Sequence, residues 1–272
     1  MSTKWLFESS LALKSASTSA GLIEERCAEC LTFQTKGTSR DIVTELDIII
    51  EKHIKEILGT SKYQIIGEET SKNGDLNIIS NEPVWFIDPI DGTANFISSI
   101  PFYAVSVGLA AGSEFLVGAV VAPALKEIFF TMGNGGSFMN GKILKVCSAD
   151  LKDSLIAAGF SGSYSNEVER KQEYNFFGTL NDNSRGCLRL GSASVNICYV
   201  AAGRLQSSYG IANKIWDVAG AIAVAMQAGC KVYIDRIKGT HQISYAVGAG
   251  GVTDKIAEML GEKKIANLSL IS

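Results

Sequence analysis

Histidine is nearly missing from this chain: His53 and His241 are the only two among 272 residues. Neither stands at a spacing that would complete a zinc site with the one C-x-x-C pair, Cys27-Ala28-Glu29-Cys30. The remaining cysteines, Cys147, Cys187, Cys198 and Cys230, are scattered and supply no second pair. The pair lies within a stretch of helical character, residues 21–33, and not just after a strand, so it reads as packing in a reduced, cytoplasmic protein. The histidines read as surface or packing residues. A large charge of one sign is also missing. The net charge of -3 gives no bulk attraction to a nucleic acid polymer or an anionic membrane. An anionic substrate would therefore have to be captured locally, through divalent cations set between carboxylates. Residues 1–10 carry Lys4 and Glu8 and lack the apolar core of a signal peptide, so they read as mature sequence. The longest weakly polar run, 218–230, contains Gln227 and falls short of the ~20 residues that cross a bilayer. No repeat or low-complexity tract is seen.

What is present is a globular composition, 46% hydrophobic and 19% charged. The length suits one large domain or two tightly packed halves, since single cores stop growing near ~250 residues. The pattern divides near residue 148 into an α+β half, 1–148, and an α/β half, 149–272. In the first, helices are expected over 4–33 and 41–58, joined by a loop that holds Lys36 and puts Asp41 near the second helix's N-terminus. Thr44 and Asp47 follow one turn apart. Short buried strands are expected at 64–67 and 84–88, separated by a polar surface loop at 71–83. An antiparallel meander spans 103–146, with turns at Gly112-Ser113, Gly133-Asn134-Gly135-Gly136 and Asn140-Gly141. In the second half, strands are expected near 155–159, 205–209, 231–235 and 243–248, and helices over 166–180, 192–202, 217–228 and 253–260.

The most informative segment is Trp85-Phe86-Ile87-Asp88-Pro89-Ile90-Asp91-Gly92-Thr93-Ala94-Asn95-Phe96, an apolar strand running into two carboxylates and a glycine turn. Pro89 fixes a backbone dihedral, Gly92 permits close approach or a positive φ, and Asp88 and Asp91 can then converge on a hard cation. Thr93 falls at a helix start. Asp-Gly-Thr is also ordinary turn chemistry, so the segment alone reads equally as a capped turn. It is no EF-hand, because Ala94 and Phe96 break the alternation of oxygen ligands. Two further segments carry acids at the boundary of an apolar element: Ile65-Ile66-Gly67-Glu68-Glu69 and Trp216-Asp217-Val218-Ala219-Gly220.

Taken in order, D-I-V-T-E-L-D (41–47), G-E-E (67–69), D-P-I-D-G-T-A-N-F (88–96), G-S-A (191–193) and W-D-V-A-G (216–220) resemble the inositol monophosphatase family, lithium-sensitive and magnesium-dependent phosphatases, over nearly the whole chain. The resemblance implies a layered α-β-α-β-α sandwich of the fructose-1,6-bisphosphatase type and a homodimer. It implies two or three magnesium ions per subunit: one on Glu68, Asp88 and the Ile90 carbonyl, a second on Asp88, Asp91 and Asp217, and a weaker third on Glu68. Catalysis would be in-line attack of metal-activated water on a phosphomonoester without a phosphoenzyme. In that scheme Asp47 pairs with the Thr93 hydroxyl, while Thr93 and Glu68 orient the water. The amides of Gly92 and Thr93 take phosphate oxygens, Gly191, Ser192 and Ala193 meet the alcohol part, and Glu69 and Lys36 support the site.

The chain departs from the family at Gly210, where inositol phosphatases commonly carry glutamate; glycine offers a polyol no side-chain acceptor. The substrate is thus an inositol phosphate or a similar sugar or polyol phosphate. The alternatives are a histidinol phosphate, a fructose bisphosphate or a 3'-phosphoadenosine nucleotide, with a non-catalytic metal-binding protein as the rival from another class. Arg185 and Arg189 could face either a partner subunit or the substrate.

Overall fold

Small residues on the inner face of the first helix, α1 (Leu6–Arg26), let it lie close against a sheet: Ala12, Ser15, Ala16, Ser19 and Ala20 are all buried. Beside it lies α2 (Glu45–Leu58), which buries Leu46, Ile50, Ile54 and Leu58 at intervals of four. The computed structural model describes residues 4–26, 33–35, 42–71, 82–161, 164, 166–236, 240–262, 266 and 269–271. Between the two helices, β1 (Phe33–Thr35) and β2 (Ile42–Thr44) pair antiparallel. This corrects the expected helices over 4–33 and 41–58 at residue 33 and at residues 42–44, which are strand, whereas residues 27–32 and 41 lie outside the described residues. Phe-Gln-Thr and Ile-Val-Thr are aromatic and β-branched, and a pairing partner settles such residues as strand. Cys27, Cys30, Lys36 and Asp41 lie outside the described residues.

The first sheet runs in chain order: β3 (Gln64–Gly67), β4 (Val84–Asp91), then past the short α3 (Thr93–Ile97) to β5 (Ala104–Ala111), β6 (Glu114–Ala122), β7 (Glu127–Thr131), β8 (Ser137–Met139) and β9 (Lys142–Ile143). β3 and β4 are parallel, and the rest form the expected antiparallel meander. All eight residues of β4 are buried, because both faces are covered. Trp85 and Ile87 join the cluster made with α1 and α2, while Val84 and Phe86 join the cluster on the opposite face, as a period of two requires.

That opposite face meets α5 (Ala193–Ala201) and α6 (Ile215–Gln227). Beyond them lies the second sheet, β10 (Leu155–Gly159), β11 (Gly186–Leu188), β12 (Ser207–Lys214), β13 (Lys231–Arg236), β14 (Gln242–Gly248) and β15 (Ser269–Ile271), in the spatial order β11-β10-β12-β14-β13-β15. Its outer face is covered by α4 (Glu167–Asp182) and α7 (Gly250–Glu262), with Phe176, Leu180, Ile256 and Leu260 in one apolar cluster. The layers are thus α-β-α-β-α. β11 and β15, three residues each, were too short to show a period in the sequence.

α6 is apolar all round, with residues 218–225 buried, as a helix between two sheets must be. It approaches the first sheet backbone to backbone. A methyl group on Gly220 would stand 2.6 Å from the Val107 carbonyl oxygen, and one on Gly108 would stand 2.6 Å from the Ala219 carbonyl carbon. In an exposed helix Gly→Ala gains about 1 kcal/mol. Here overpacking against backbone, about 1–3 kcal/mol or more, outweighs it. Gly220→Ala is therefore expected to lower the urea midpoint of unfolding, and a midpoint at or above that of the parent chain would refute this packing account.

Candidate active site

At the end of β4 the backbone leaves the sheet through a register shift between Asp88 and Asp91 and turns at Gly92, whose φ of 97° lies in the left-handed region. Glycine is needed there for space as well as for φ. A Cβ would lie 3.1 Å from the Phe102 carbonyl and 3.2 Å from that of Gly191. Asn95 ties the same three segments together, its amide donating to the carbonyls of Phe102 at 2.7 Å and Leu190 at 2.8 Å. The turn opens into a cavity of about 390 Å³ lined by Glu68, Asp88, Ile90, Asp91, Thr93 and Asp217, with Gly92, Ala94, Asn95, Arg189, Leu190 and Gly191 completing the wall.

Of these acids Asp88 and Asp91 are buried, Glu68 and Asp217 are half-buried, and all but Glu68 are fixed by backbone amides. Asp88, 2% exposed, accepts the Ile90 N–H on Oδ1 at 3.0 Å. Asp217 accepts the Lys214 N–H on Oδ2 at 3.1 Å, so it caps α6 while lining the cavity. Asp91 is held from α5: Oδ2 accepts the Ser192 hydroxyl at 2.5 Å and the Ser194 amide at 2.7 Å, the Ser194 hydroxyl also bonds it, and Oδ1 accepts the Ala193 amide at 3.2 Å. A carboxylate at a helix N-terminus is favoured by the exposed amides and the helix dipole. Asp47, on α2, is buried behind the wall.

Burial leads the electrostatics and charge repulsion follows it. Burial first, then the charges of Glu68, Asp91, Asp217 and Asp47, push the Asp88 carboxyl well above the usual range. Burial, then Glu68 and Asp91, do the same to Asp217 despite the Lys214 amide. Asp91 is raised by burial, against the pull of its serine and amide donors.

The structure gathers Glu68, Asp88, Ile90, Asp91, Gly92, Thr93, Gly191 and Asp217 around one cavity. Ser192 and Ala193, expected to meet substrate, are not among the lining residues and bond to Asp91. The Thr93 hydroxyl, expected to pair with Asp47, donates to the Ile90 carbonyl at 2.9 Å, which lies within reach because Thr93 opens α3 directly after the turn. Glu69 stands beside Glu68 on the β3 turn but is not among the lining residues. Lys36 falls outside the described residues. Sequence reasoning missed Asn95, although it sits inside the central motif, and Ser194, which lies one residue past G-S-A. Arg189 proves to be the only basic side chain among the described lining residues.

The donor set suits a hard divalent cation, being carboxylate and carbonyl oxygen throughout. Among the described residues no group of three or more His, Cys, Asp or Glu side chains is drawn round one point closely enough to hold an ion alone. Water and substrate oxygens would complete the shell, which is the ordinary habit of magnesium.

The five-layered sandwich, with an acid-lined cavity at a strand end, is a fold of the fructose-1,6-bisphosphatase type. Residues 8–262 match the Inositol monophosphatase family. The chain belongs to that family and is a phosphatase. It is 34% identical to an inositol monophosphatase of Dictyostelium discoideum, over 84% of this chain and 85% of that one. It is 32% identical to inositol monophosphatase 1 of Bos taurus, over 84% of each. In fold it is similar to SuhB of Mycobacterium tuberculosis, with a TM-score of 0.78, 26% identity and 96% and 98% of the two chains covered. A further structure, IMPase/NADP phosphatase complexed with Mg2+ and phosphate, shares the fold at a TM-score of 0.75 and 22% identity, over 90% and 91% of the two chains.

The raised carboxyls give a stability prediction. A group whose folded pKa is raised contributes stability that is complete below its unfolded value, about 3.9 for Asp, and is lost as pH rises through the folded value. In chelator, the parent chain should lose thermal stability from acid toward neutral pH. Asp88→Asn and Asp217→Asn, which keep the oxygen that accepts the amide, should melt higher than the parent at neutral pH. Lower melting of both variants in chelator would contradict the repulsion account.

Proposed function

We propose that this chain is a magnesium-dependent phosphomonoesterase that hydrolyses an inositol phosphate or a similar sugar or polyol phosphate. The supporting observation is the gathering of Glu68, Asp88, Asp91 and Asp217 round one cavity, with mutual repulsion that a cation would relieve. Glu68, Asp88 and the Ile90 carbonyl would hold one ion, Asp88, Asp91 and Asp217 a second, and Glu68 a third. Bound there, magnesium would supply Lewis acidity, lowering the pKa of a water and neutralising charge on the phosphoryl oxygens.

The chain's own groups do the rest. The Thr93 hydroxyl spends its proton on the Ile90 carbonyl, so its oxygen is left to accept a hydrogen bond from the attacking water. Glu68 would accept a hydrogen bond from that water's other hydrogen, so that Thr93 and Glu68 together orient the water in line with the scissile bond. In α3 the amides of Asn95 and Phe96 both donate to the Gly92 carbonyl, and the earlier amides, Thr93 among them, are placed to meet phosphate. Asp47 acts from behind, through its charge on Asp88.

Where the family commonly carries glutamate there is no room for a side chain: a Cβ on Gly210 would collide with Oδ1 of Asn213 and stand 2.5 Å from Cε1 of Tyr245, and neither Gly210 nor Tyr245 lines the cavity. Arg189 on the cavity wall favours a second reading, a bisphosphate or 3'-phosphoadenosine nucleotide as substrate, because a guanidinium pairs with a second anionic group. As the family resemblance implies, the enzyme would act as a lithium-sensitive homodimer in the cytoplasm. Among the described residues no helix is long and apolar enough to cross a membrane.

The test is phosphate release from a panel of inositol, sugar, bisphosphate and nucleotide phosphates, with magnesium, with chelator, and with added lithium. Magnesium-dependent release from at least one phosphomonoester is expected, and none from any would defeat the proposal. Asp88→Asn and Asp217→Asn should each lose at least about a hundredfold in rate, beyond the usual cost of altering a ligand's neighbour. Turnover at the parent rate in either variant would remove it from the ligand set.

A further inference from the structure

α2 carries a second buried carboxylate one turn beyond Asp47. Glu51 is 1% exposed, yet it does not line the acidic cavity. Its Oε2 accepts the Glu69 amide at 2.7 Å, and its Oε1 accepts the Thr70 hydroxyl at 2.5 Å and the Lys55 ammonium at 2.8 Å. Lys55 also bonds Thr70. The carboxylate thus closes on the turn that follows β3 at the two residues after Glu68. The contact extends to Gly67, where a Cβ would stand 2.6 Å from each of the Glu51 oxygens. On its other side the turn is fixed by the Glu68 amide, which donates to the Ile87 carbonyl at 3.2 Å, and it is closed by the Ser71 amide on the Gly67 carbonyl at 3.0 Å.

We infer that Glu51 is the positioning residue for Glu68. It holds residues 67–70 from the helix side, so that the Glu68 side chain is delivered to the cavity beside Asp88. A buried charge is tolerated when donors surround it, and here a backbone amide, a hydroxyl and an ammonium converge on one carboxylate. Gly67 is glycine because that carboxylate occupies the place of its side chain. Asp47 and Glu51 stand four residues apart, both buried, on α2. The inference rests on the reading of Glu68 as a metal ligand.

The test measures Mn2+ binding by the electron paramagnetic resonance of the free ion, with far-UV circular dichroism and melting in chelator on the same samples. Glu51→Ala should weaken Mn2+ binding by about 10–100-fold, the usual cost of removing a group that orients a ligand, and raise the metal concentration for half-maximal rate without raising KM for substrate. Glu51→Gln keeps an oxygen for the Glu69 amide and should stay within about fivefold of the parent, since the partly exposed Lys55 pair contributes little. Gly67→Ala, with Glu51 intact, should weaken binding about tenfold or more. In the Glu51→Ala background it should add almost nothing, because the methyl then has room.

Parent-like Mn2+ affinity in Glu51→Ala would overturn the inference. So would a loss confined to the fraction of folded protein, or additive effects of the two substitutions. Should Glu51→Ala fail to fold, Glu51→Gln and Gly67→Ala decide: equal affinities in these two variants would overturn it. A parent chain that binds no Mn2+ would defeat the ligand reading of Glu68 and the inference with it, whereas binding by the parent without loss in the variants defeats the inference alone.

Discussion

Repulsion among buried carboxylates is the constraint around which this molecule is organised. Asp88 and Asp91 stand on one strand end, Asp47 and Glu68 approach from one side, and Asp217 from the other, each raising the cost of ionising Asp88. Left to themselves such groups would move apart or take up protons. They are kept together because most of them are fastened to backbone that belongs to the core: the Ile90 amide for Asp88, the Lys214 amide at the start of α6 for Asp217, and the first turn of α5 for Asp91. Stability is spent at the site and recovered in the layers on either side of it.

Those layers fix the separation of the acids. β4 is covered on both faces, so its end cannot shift without disturbing two apolar clusters. α6 brings Asp217 to the cavity from between the sheets, and its backbone contact through Gly108 and Gly220 sets its depth to a fraction of an ångström. The positions of these acids are therefore consequences of helix-on-sheet packing.

The two sides of the cavity differ in kind. Acids and a glycine turn gather at the end of β4, whereas the segment before α5 brings Leu190, Gly191 and Arg189, the one basic side chain among the described lining residues. A carboxylate-rich face and that one basic side chain thus share one cavity, and they reach it on different elements.

Much of this was legible beforehand. The period-two run of β4, the turn at Gly92 and the meander from β5 to β9 are local patterns, and local sterics fix them. Asp88, Asp91, Glu68 and Asp217 announced themselves as carboxylates at the ends of apolar runs. The hairpin of β1 and β2 did not, since three-residue strands have too short a period and are settled by a partner. Nor did the roles of Ser194, Asn95 and Glu51, whose bonds join residues far apart in the chain. The sequence by itself determined most of the strands and helices and the acid-bearing strand ends, because hydrophobic period and charged strand ends act over neighbouring residues, while the layered fold and the class of chemistry were implied by the resemblance of its motifs to a family. Only the tertiary structure decided which groups support the acids, that Thr93 donates to Ile90 and that Ser192 serves Asp91, because a hydrogen bond between distant segments exists only once packing has brought its two ends together.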